Sequence, residues 1–223
     1  MPPPRVCVTG GGGFIAPWLV KLLLSGGYGV HATLRDPFPR DPKNAHLMQL
    51  DKAPGNLHLF KADVLDDDTL TPAVEGCEGV FHLATPVPED KIVDPEARGP
   101  DAISNKLWHM VDVRDVADAS LLLYQKKESF GRYICSPNHV FLKDLVDLLK
   151  KMHPEYNYVN NIVDADPKAS LTCQKLVDLG WVPRKLEETL ADSIECNEKA
   201  GLLQDVAGRP FRLPHLFRLA GDQ

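Results

Sequence analysis

The first pattern along the chain is an apolar run that passes through glycines into an amphipathic segment. Val6 and Val8 are β-branched residues typical of a buried strand, and glycines occupy positions 10–13. Apolar residues then recur at helical spacing between Trp18 and Leu23, and Gly26 follows them as a stop signal. This order predicts a strand, a tight glycine turn and a helix.

The alternation of strand and helix patterns continues through the first 84 residues. Apolar runs at 29–35, 56–60 and 79–84 predict three further strands, separated by helix patterns at 44–50 and 69–75. The second of these helices follows acidic capping residues at 66–68. Because right-handed crossovers govern such βαβ units, we predict an α/β fold with a parallel sheet of order 3-2-1-4.

A polar junction segment, residues 92–105, interrupts this alternation. It is rich in proline, glycine and charge and contains no pattern of a buried strand. After it, helix patterns lie at 112–124, 140–152, 168–179 and 186–201, with a short strand pattern at 132–135. We therefore expect two parts, residues 1–96 and residues 97–223, and strand four becomes an edge strand if nothing follows it in the sheet.

Composition and charge exclude several classes of partner. The chain has 223 residues, 43% of them hydrophobic, with 25 basic and 31 acidic residues and a net charge of −6. No basic block is present, so we expect neither nucleic acid nor a membrane as a partner. A strand that begins near Arg5 leaves no room for a signal peptide, and no apolar stretch could cross a bilayer, so we expect a cytoplasmic protein.

The cysteines and histidines show no pattern of a metal site. The five cysteines are widely spaced without a C-x-x-C pair, which indicates buried thiols rather than a disulfide framework or a zinc site. The histidines at 109, 139, 153 and 215 share no face and no ligand spacing in the sequence pattern. We therefore predict no metal site.

The glycine turn and one arginine carry the candidate chemistry. Gly10 and Gly13 permit a tight turn and the approach of backbone N–H groups to a phosphate, and the helix N-terminus attracts an anion. The alternative is a strand-to-helix joint without a ligand. Arg35, after strand two, suits the 2′-phosphate of NADP, where a carboxylate would favour NAD. Lys43 offers a second positive contact, and the alternative for both cations is a solvated surface charge.

Motifs along most of the chain resemble the plant cinnamoyl-CoA reductase and dihydroflavonol reductase-like group. This group belongs to the extended short-chain dehydrogenase/reductases, in the NAD-dependent epimerase/dehydratase superfamily. The motifs lie at residues 9–16, 61–65, 79–87, 111–119, 131–135 and 176–181. The resemblance implies a Rossmann-like sheet in residues 1–96, here truncated, and a C-terminal α/β substrate-side lobe in residues 97–223.

The resemblance also implies the residues that hold NADP. Those assigned to the pyrophosphate are Gly10, Gly12, Gly13, Phe14 and Ile15, and those assigned to the 2′-phosphate are Arg35 and Lys43. Those assigned to the adenine are Asp63 and Val64, and those assigned to the ribose and nicotinamide side are Leu83, Ala84 and Thr85. Asp63 has the alternative of capping the following loop, and Leu83 that of packing the core.

The catalytic segment of these reductases is absent. In the family, a serine and a Tyr-x-x-x-Lys pair transfer the proton, and none of the five tyrosines here has a lysine four residues later. The residues at that spacing are Ala32, Glu128, Pro137, Asn160 and Ile162. Restoring the family layout takes two or three βαβ units of roughly 30 residues each between Glu96 and Ala97. We therefore expect an internally shortened member.

Three functions are consistent with these residues. The first is an NADPH-dependent reductase of a small aromatic carbonyl compound of the phenylpropanoid or flavonoid type, with impaired or absent catalysis. The second is a catalytically inert NADP-binding sensor or a competitor of full-length relatives. The third is a non-functional product of altered splicing or of an erroneous gene model.

Overall fold

The computed structural model describes residues 3–35, 47–84, 103–158, 160–164, 171–201 and 203. These residues divide into two units. The first unit contains a four-stranded sheet, and the second contains two two-stranded sheets. Most of the junction segment and residue Lys43 lie outside the described residues, so the predicted boundary near residue 96 stays a prediction.

Eight strands and seven helices have their bounds among the described residues. The strands are β1 (Arg5–Thr9), β2 (Gly29–Leu34), β3 (Leu57–Lys61), β4 (Gly79–His82), β5 (Ile103–Asn105), β6 (Leu107–Met110), β7 (Asn138–Phe141) and β8 (Ile162–Asp164). The helices are α1 (Ala16–Ser25), α2 (Ala53–Asn56), α3 (Asp67–Val74), α4 (Val113–Gln125), α5 (Leu142–Met152), α6 (Gln174–Val177) and α7 (Leu186–Lys199).

The sheet of the first unit has the order β3-β2-β1-β4, and all neighbouring strands are parallel. This confirms the predicted α/β fold and strand order. Every residue of β2 is buried, as expected for a central strand covered on both faces. Parallel strands place their carboxyl ends at one edge of the sheet, so the loops after β1, β2, β3 and β4 meet there.

Helices α1 and α4 cover one face of this sheet. Leu19 and Leu23 of α1 are fully buried against the strands, and Ala117 of α4 joins the same core. Tyr124, near the end of α4, packs its ring 5.1 Å from the ring of Phe81 on β4. The pattern at 112–124 therefore forms the predicted helix, with Asp112 as the N-cap whose carboxylate accepts from the Arg114 N–H.

Strand β4 lies at an edge of the described sheet, the position expected for it. Its residues alternate in exposure: Phe81 is 9% exposed, whereas Val80 on the opposite face is 50% exposed. In a parallel sheet both faces of a strand are ordinarily covered. The face that carries Val80 is therefore open among the described residues.

A second cluster in the first unit joins α4 to α6. Trp181 is nearly buried, and its indole N–H donates to the Asp115 carbonyl over 3.1 Å. Leu176 of α6 packs beside Ala119 of α4 in the same cluster. These contacts attach residues 173–182 to the unit that contains the parallel sheet.

Three predicted elements differ in the structure. Within the described residues, the helix predicted at 168–179 extends only over Gln174–Val177, since residues 171–173 are not helical and a turn follows at 178–180. The strand predicted at 132–135 is wrong: Lys175 donates to the carbonyls of Phe130 and Arg132 and lies 3.9 Å from the centre of the Tyr133 ring, so this segment bonds to a side chain rather than to a strand. The helix predicted from residue 140 begins at Leu142, because Asn138–Phe141 form β7 and pair with β6.

Candidate functional site

The glycine turn between β1 and α1 is held by Thr33 of the neighbouring strand β2. The Gly11 N–H donates to the Thr33 carbonyl over 2.8 Å, and the Gly10 N–H donates to the Thr33 hydroxyl over 3.3 Å. Within the turn, the Gly13 N–H donates to the Gly10 carbonyl over 2.9 Å. The turn is thus fixed at the carboxyl edge of the sheet.

Glycine is required at position 10 by both backbone angle and space. Gly10 has a φ of +72°, and a Cβ there would lie 2.9 Å from the Cα and N atoms of Ala84 after β4. The close approach of these backbones brings two predicted site residues together, one from the turn and one from the end of β4. It also leaves no side chain between the turn and the strand end.

The start of α1 presents unpaired backbone donors. Among the described residues, no acceptor is found for the N–H groups of Gly12, Phe14, Ile15 and Ala16. The N-cap residue Ile15 supplies no side-chain cap, and Gly13 and Phe14 are exposed. A helix N-terminus with several free N–H groups and no acidic side chain in its first turn is suited to an anion. These donors fit the pyrophosphate of a dinucleotide.

Arg35 immediately follows β2 at the same edge of the sheet. Its side chain is exposed and has no carboxylate partner among the described residues. An unpaired guanidinium is a bidentate donor for a phosphate group. Lys43, predicted beside it, lies outside the described residues.

Asp63 and Val64 follow β3. The Asp63 carboxylate accepts from the Leu65 N–H over 3.0 Å, while the Asp63 N–H donates to the Thr69 hydroxyl over 3.0 Å. The loop-capping role that the sequence left open for Asp63 is therefore present in the structure. A ligand role stays a prediction for both residues; Val64 is half-buried at this position.

Leu83 and Ala84 follow β4, and both are half-buried. Leu83 packs against the core of the sheet, the alternative that the sequence left open for it. Ala84 faces Gly10 as described, and Thr85 lies outside the described residues. The predicted site residues that the structure describes therefore all follow the carboxyl ends of the four parallel strands.

A threonine and histidine pair at this edge was not predicted from the sequence. Thr9 and His82 are register partners on β1 and β4, and the Thr9 Oγ1 lies 2.8 Å from the His82 Nδ1. The same hydroxyl accepts from the Ala84 N–H over 3.4 Å. Both residues stand inside motifs quoted from the sequence, but only the pairing of β1 with β4 reveals that they meet.

No described tyrosine is placed to act with a lysine as a proton donor. The described Tyr133 and Lys175 do meet, but the ammonium lies over the ring face and donates to backbone carbonyls, as given above. Tyr124 is packed between Tyr28 and Phe81.

Burial and the neighbouring Cys77 raise the pKa of the Cys7 thiol to about 11, so Cys7 is not a thiolate nucleophile at neutral pH.

Two histidines expected to share no face do meet in the second unit. His109 on β6 pairs with His139 on β7, and their ring centres are 4.8 Å apart. The expectation was wrong because the antiparallel pairing of β6 with β7 joins residues that are distant in the sequence.

Among the described helices, none combines the length and the apolar character needed to cross a membrane.

The sheet, the glycine turn and the open helix N-terminus define a Rossmann-like dinucleotide fold. Residues 6–97 match the model of the NAD dependent epimerase/dehydratase family. Over a longer span, cinnamoyl-CoA reductase 1 of Petunia hybrida is 29% identical, with 89% of this chain and 93% of the relative covered. Dihydroflavonol 4-reductase of Gerbera hybrida is 50% identical over 44% of this chain and 28% of its own length. The chain is thus a homologue of plant cinnamoyl-CoA and dihydroflavonol reductases, which confirms the resemblance.

Solved structures support the same fold. Vestitone reductase from alfalfa, Medicago sativa, superposes with a TM-score of 0.69 at 23% identity, covering 89% of this chain and 99% of the other. The yeast methylglyoxal/isovaleraldehyde reductase Gre2, solved with NADPH, gives a TM-score of 0.57 at 18% identity over 87% of this chain and 98% of the other. At these identities the likeness concerns the fold.

The alignment with the Petunia enzyme is longer than this chain. It runs over 312 residues, although 89% of 223 residues is only about 198. About 114 aligned positions of the relative therefore have no counterpart here. The match to the family model ends at residue 97, inside the junction segment.

Proposed function

We propose that this chain binds NADPH at the turn between β1 and α1 and that its reductase chemistry is impaired. The observation that carries the proposal is the group of free N–H donors at Gly12, Phe14, Ile15 and Ala16, beside a turn whose Gly10 admits no side chain. The relatives are named as reductases, and Gre2 has been solved with NADPH. These findings together favour a nicotinamide dinucleotide as the ligand.

Residues after each of the four parallel strands bind a different part of the dinucleotide. The N–H groups of Gly12, Phe14, Ile15 and Ala16 hold the pyrophosphate at the positive end of the α1 dipole. Arg35 holds the 2′-phosphate, which distinguishes NADPH from NADH. Val64 with Asp63 faces the adenine, and Ala84 with Leu83 faces the ribose and nicotinamide side.

Reduction of a carbonyl group needs a proton donor as well as a hydride. Bound NADPH supplies the hydride, and the substrate class inferred from the relatives is a small aromatic carbonyl compound of the phenylpropanoid or flavonoid type. The chain has no Tyr-x-x-x-Lys pair to protonate the developing alkoxide. Loss of a positioned acid costs roughly 10²–10⁴ in rate, so we infer slight or absent turnover.

The absent catalytic segment is best placed at the junction between Glu96 and Ala97. The 114 or so unmatched positions of the Petunia relative are the length of three to four βαβ units at roughly 30 residues each, somewhat more than the two or three inferred from the motifs. The family match ends at residue 97, which supports this placement. Sequencing the transcript across these two codons tests it: a continuous reading frame is expected if the shortening is genuine.

The cofactor-binding residues also support a second function, in which the chain binds NADPH without catalysis. The described N–H donors and Arg35 are independent of the absent catalytic segment, so cofactor binding can persist without turnover. An NADP-binding sensor, or a competitor of full-length relatives, needs no more than this. A product without a stable role would bind neither cofactor nor substrate.

One experiment separates these functions. The purified full chain is titrated with NADPH and with NADH, and NADPH oxidation is then followed with a panel of aromatic aldehydes, CoA thioesters and dihydroflavonols. We expect saturable binding that favours NADPH, with little oxidation. Turnover like that of ordinary reductases would contradict the impaired chemistry, and absence of NADPH binding would contradict the whole proposal.

A further inference from the structure

A histidine and two glutamates come together in the second unit, far along the chain from the glycine turn. His153, Glu155 and Glu198 each place one donor atom, and these atoms all lie within 4.8 Å of one another. The His153 Nδ1 is 3.0 Å from the Glu155 Oε1. The cluster mixes one imidazole nitrogen with two carboxylates, a donor set that first-row divalent cations accept.

The end of α5 holds the first two donors in place. His153 is the C-cap of α5, and its N–H donates to the Leu149 carbonyl over 2.8 Å. The Tyr158 hydroxyl lies within hydrogen-bond distance of the Leu149 and His153 carbonyls, at 3.0 and 2.7 Å. The backbone at His153 is therefore fixed by contacts that do not depend on its pairing with Glu155.

The third donor comes from the last turn of α7 and is oriented by a tyrosine. The Tyr156 hydroxyl donates to the Glu198 Oε1, and this leaves the second carboxylate oxygen without a partner among the described residues. A hydrogen-bonded partner behind a carboxylate ligand is a usual feature of metal sites.

The negative charge of the cluster is not balanced by lysine or arginine. Among the described residues, no ammonium or guanidinium group pairs with Glu155 or Glu198. The nearest charged pair on α7 joins Lys199 to Glu195 and leaves Glu198 outside it. Two carboxylates that share a site without a cationic side chain favour a bound cation.

The spacing of the donors is compatible with one small ion. Zinc bonds to imidazole nitrogen at about 2.0–2.1 Å and to carboxylate oxygen at about 2.0–2.2 Å, so two ligands of a tetrahedral ion lie roughly 3.3–3.5 Å apart. The 3.0 Å separation of the His153 Nδ1 and Glu155 Oε1 is close to that edge. The third donor atom, on exposed Glu198, lies within 4.8 Å of the other two.

We propose that His153, Glu155 and Glu198 form a binding site for a first-row divalent cation of the zinc type, with water at the remaining position. The cation takes the place of the hydrogen between the His153 Nδ1 and the Glu155 Oε1, and the neutral imidazole then carries its hydrogen on Nε2. Because the ligands come from the turn after α5 and from α7, the ion joins these two elements of the second unit. The proposal does not depend on the proposed cofactor site.

Zinc binding to the full chain tests this site. Competition with a chromophoric chelator gives the zinc affinity of the wild type and of Glu198→Gln, Glu155→Gln and Glu195→Gln. We expect a wild-type site that is weakened at least about tenfold by the first two substitutions and unchanged by the third. Glu195→Gln is the matched control because it removes the same charge from the same helix. Glu198→Gln keeps an oxygen for Tyr156, so its metal-free melting temperature should equal that of the wild type.

Cobalt substitution distinguishes this site from the five cysteines. Cobalt(II) bound to nitrogen and oxygen gives visible d–d bands without a thiolate-to-metal charge-transfer band. Zinc should also raise the melting temperature of the wild type and of Glu195→Gln, but not that of Glu198→Gln. Equal zinc affinity in the wild type and Glu198→Gln, a thiolate band, or no zinc binding below millimolar concentration would each overturn the proposal.

Discussion

Arg35 is the residue on which the choice of cofactor depends. It follows β2, is exposed and has no carboxylate partner among the described residues. We expect Arg35→Ser to lower NADPH affinity at least about tenfold and to leave NADH affinity nearly unchanged, since a charged hydrogen bond contributes about 1.5–3 kcal/mol. Fluorescence titration measures both constants. Arg132→Ser, at another exposed arginine of the first unit, should change neither; a parallel loss of both affinities in Arg35→Ser would show a general structural effect.

Gly10 and Gly13 occupy the same turn but have different steric surroundings. A methyl group at Gly10 meets the Ala84 backbone at 2.9 Å and must adopt a φ of +72°, whereas Gly13 has no positive φ and its Cβ would meet only the Gly10 carbonyl at 3.1 Å. We expect Gly10→Ala to cost more than about 2 kcal/mol and Gly13→Ala less than about 1 kcal/mol. Urea unfolding gives both values, and equal costs would mean that the turn relaxes away from β4.

At the scale of elements, those with a strong local sequence signal were predicted well, and those that depend on contacts between distant residues were not. The glycine turn and the Asp66 cap have strong local signals, and α1 and α3 lie close to their predicted positions. The segment at 132–135 has the apolar composition of a strand, yet Lys175, more than 40 residues later, donates to its Arg132 carbonyl and to the nearby Phe130 carbonyl. Likewise β7 takes the residues predicted to start a helix, because β6 is available as a partner. Such outcomes depend on contacts that periodicity does not encode.

The start of α3 offers a test at this scale. Asp66 is its N-cap, and the Asp66 carboxylate accepts from the Asp68 N–H over 3.1 Å. We expect Asp66→Ala to lower the free energy of unfolding by about 1 kcal/mol, seen as a lower urea midpoint with an unchanged slope. Asp67→Ala serves as a control, because Asp67 lies in the first turn without being the cap and should cost only about 0.3–1 kcal/mol. A larger loss in the control would place the helix start elsewhere.

At the scale of the whole molecule, the order of the sheet followed from sequence, and the packing of α4 did not. The dinucleotide-binding arrangement of right-handed βαβ units has the order 3-2-1-4, and the structure has it. Helix α4 lies about 30 residues beyond β4, yet its Ala117 joins the core that contains α1, and its Tyr124 packs against Tyr28 and Phe81. Sequence predicted its bounds to within a residue but carried no signal for that contact. The Thr9 and His82 pair was missed for the same reason, since it depends on the register of β1 against β4.

The acid stability of the whole chain should depend on one buried histidine. His31 on β2 is 6% exposed, and its Nδ1 lies 2.8 Å from the Ala73 carbonyl. Burial lowers the pKa of His31 below its ordinary value of 6.5. The hydrogen bond with the Ala73 carbonyl opposes this shift, whereas Arg5 and His58 lower the pKa further. The thiol of Cys77 also faces the ring. The unfolded chain therefore binds a proton before the folded chain does. The free energy of unfolding should fall as the pH drops below about 6.5, by up to about 1.4 kcal/mol per pH unit.

Unfolding by urea between pH 7.5 and 5.5 measures this dependence, because the carboxylates remain ionised over that range. His31→Phe should remove the part of the pH dependence of the free energy of unfolding that comes from one proton. The new ring should fill the space beside Phe60, whose ring centre lies 4.6 Å from that of His31. His58→Gln, at the exposed neighbour on β3, should keep most of the slope. A pH dependence that persists unchanged in His31→Phe would contradict the assignment of this effect to the buried histidine.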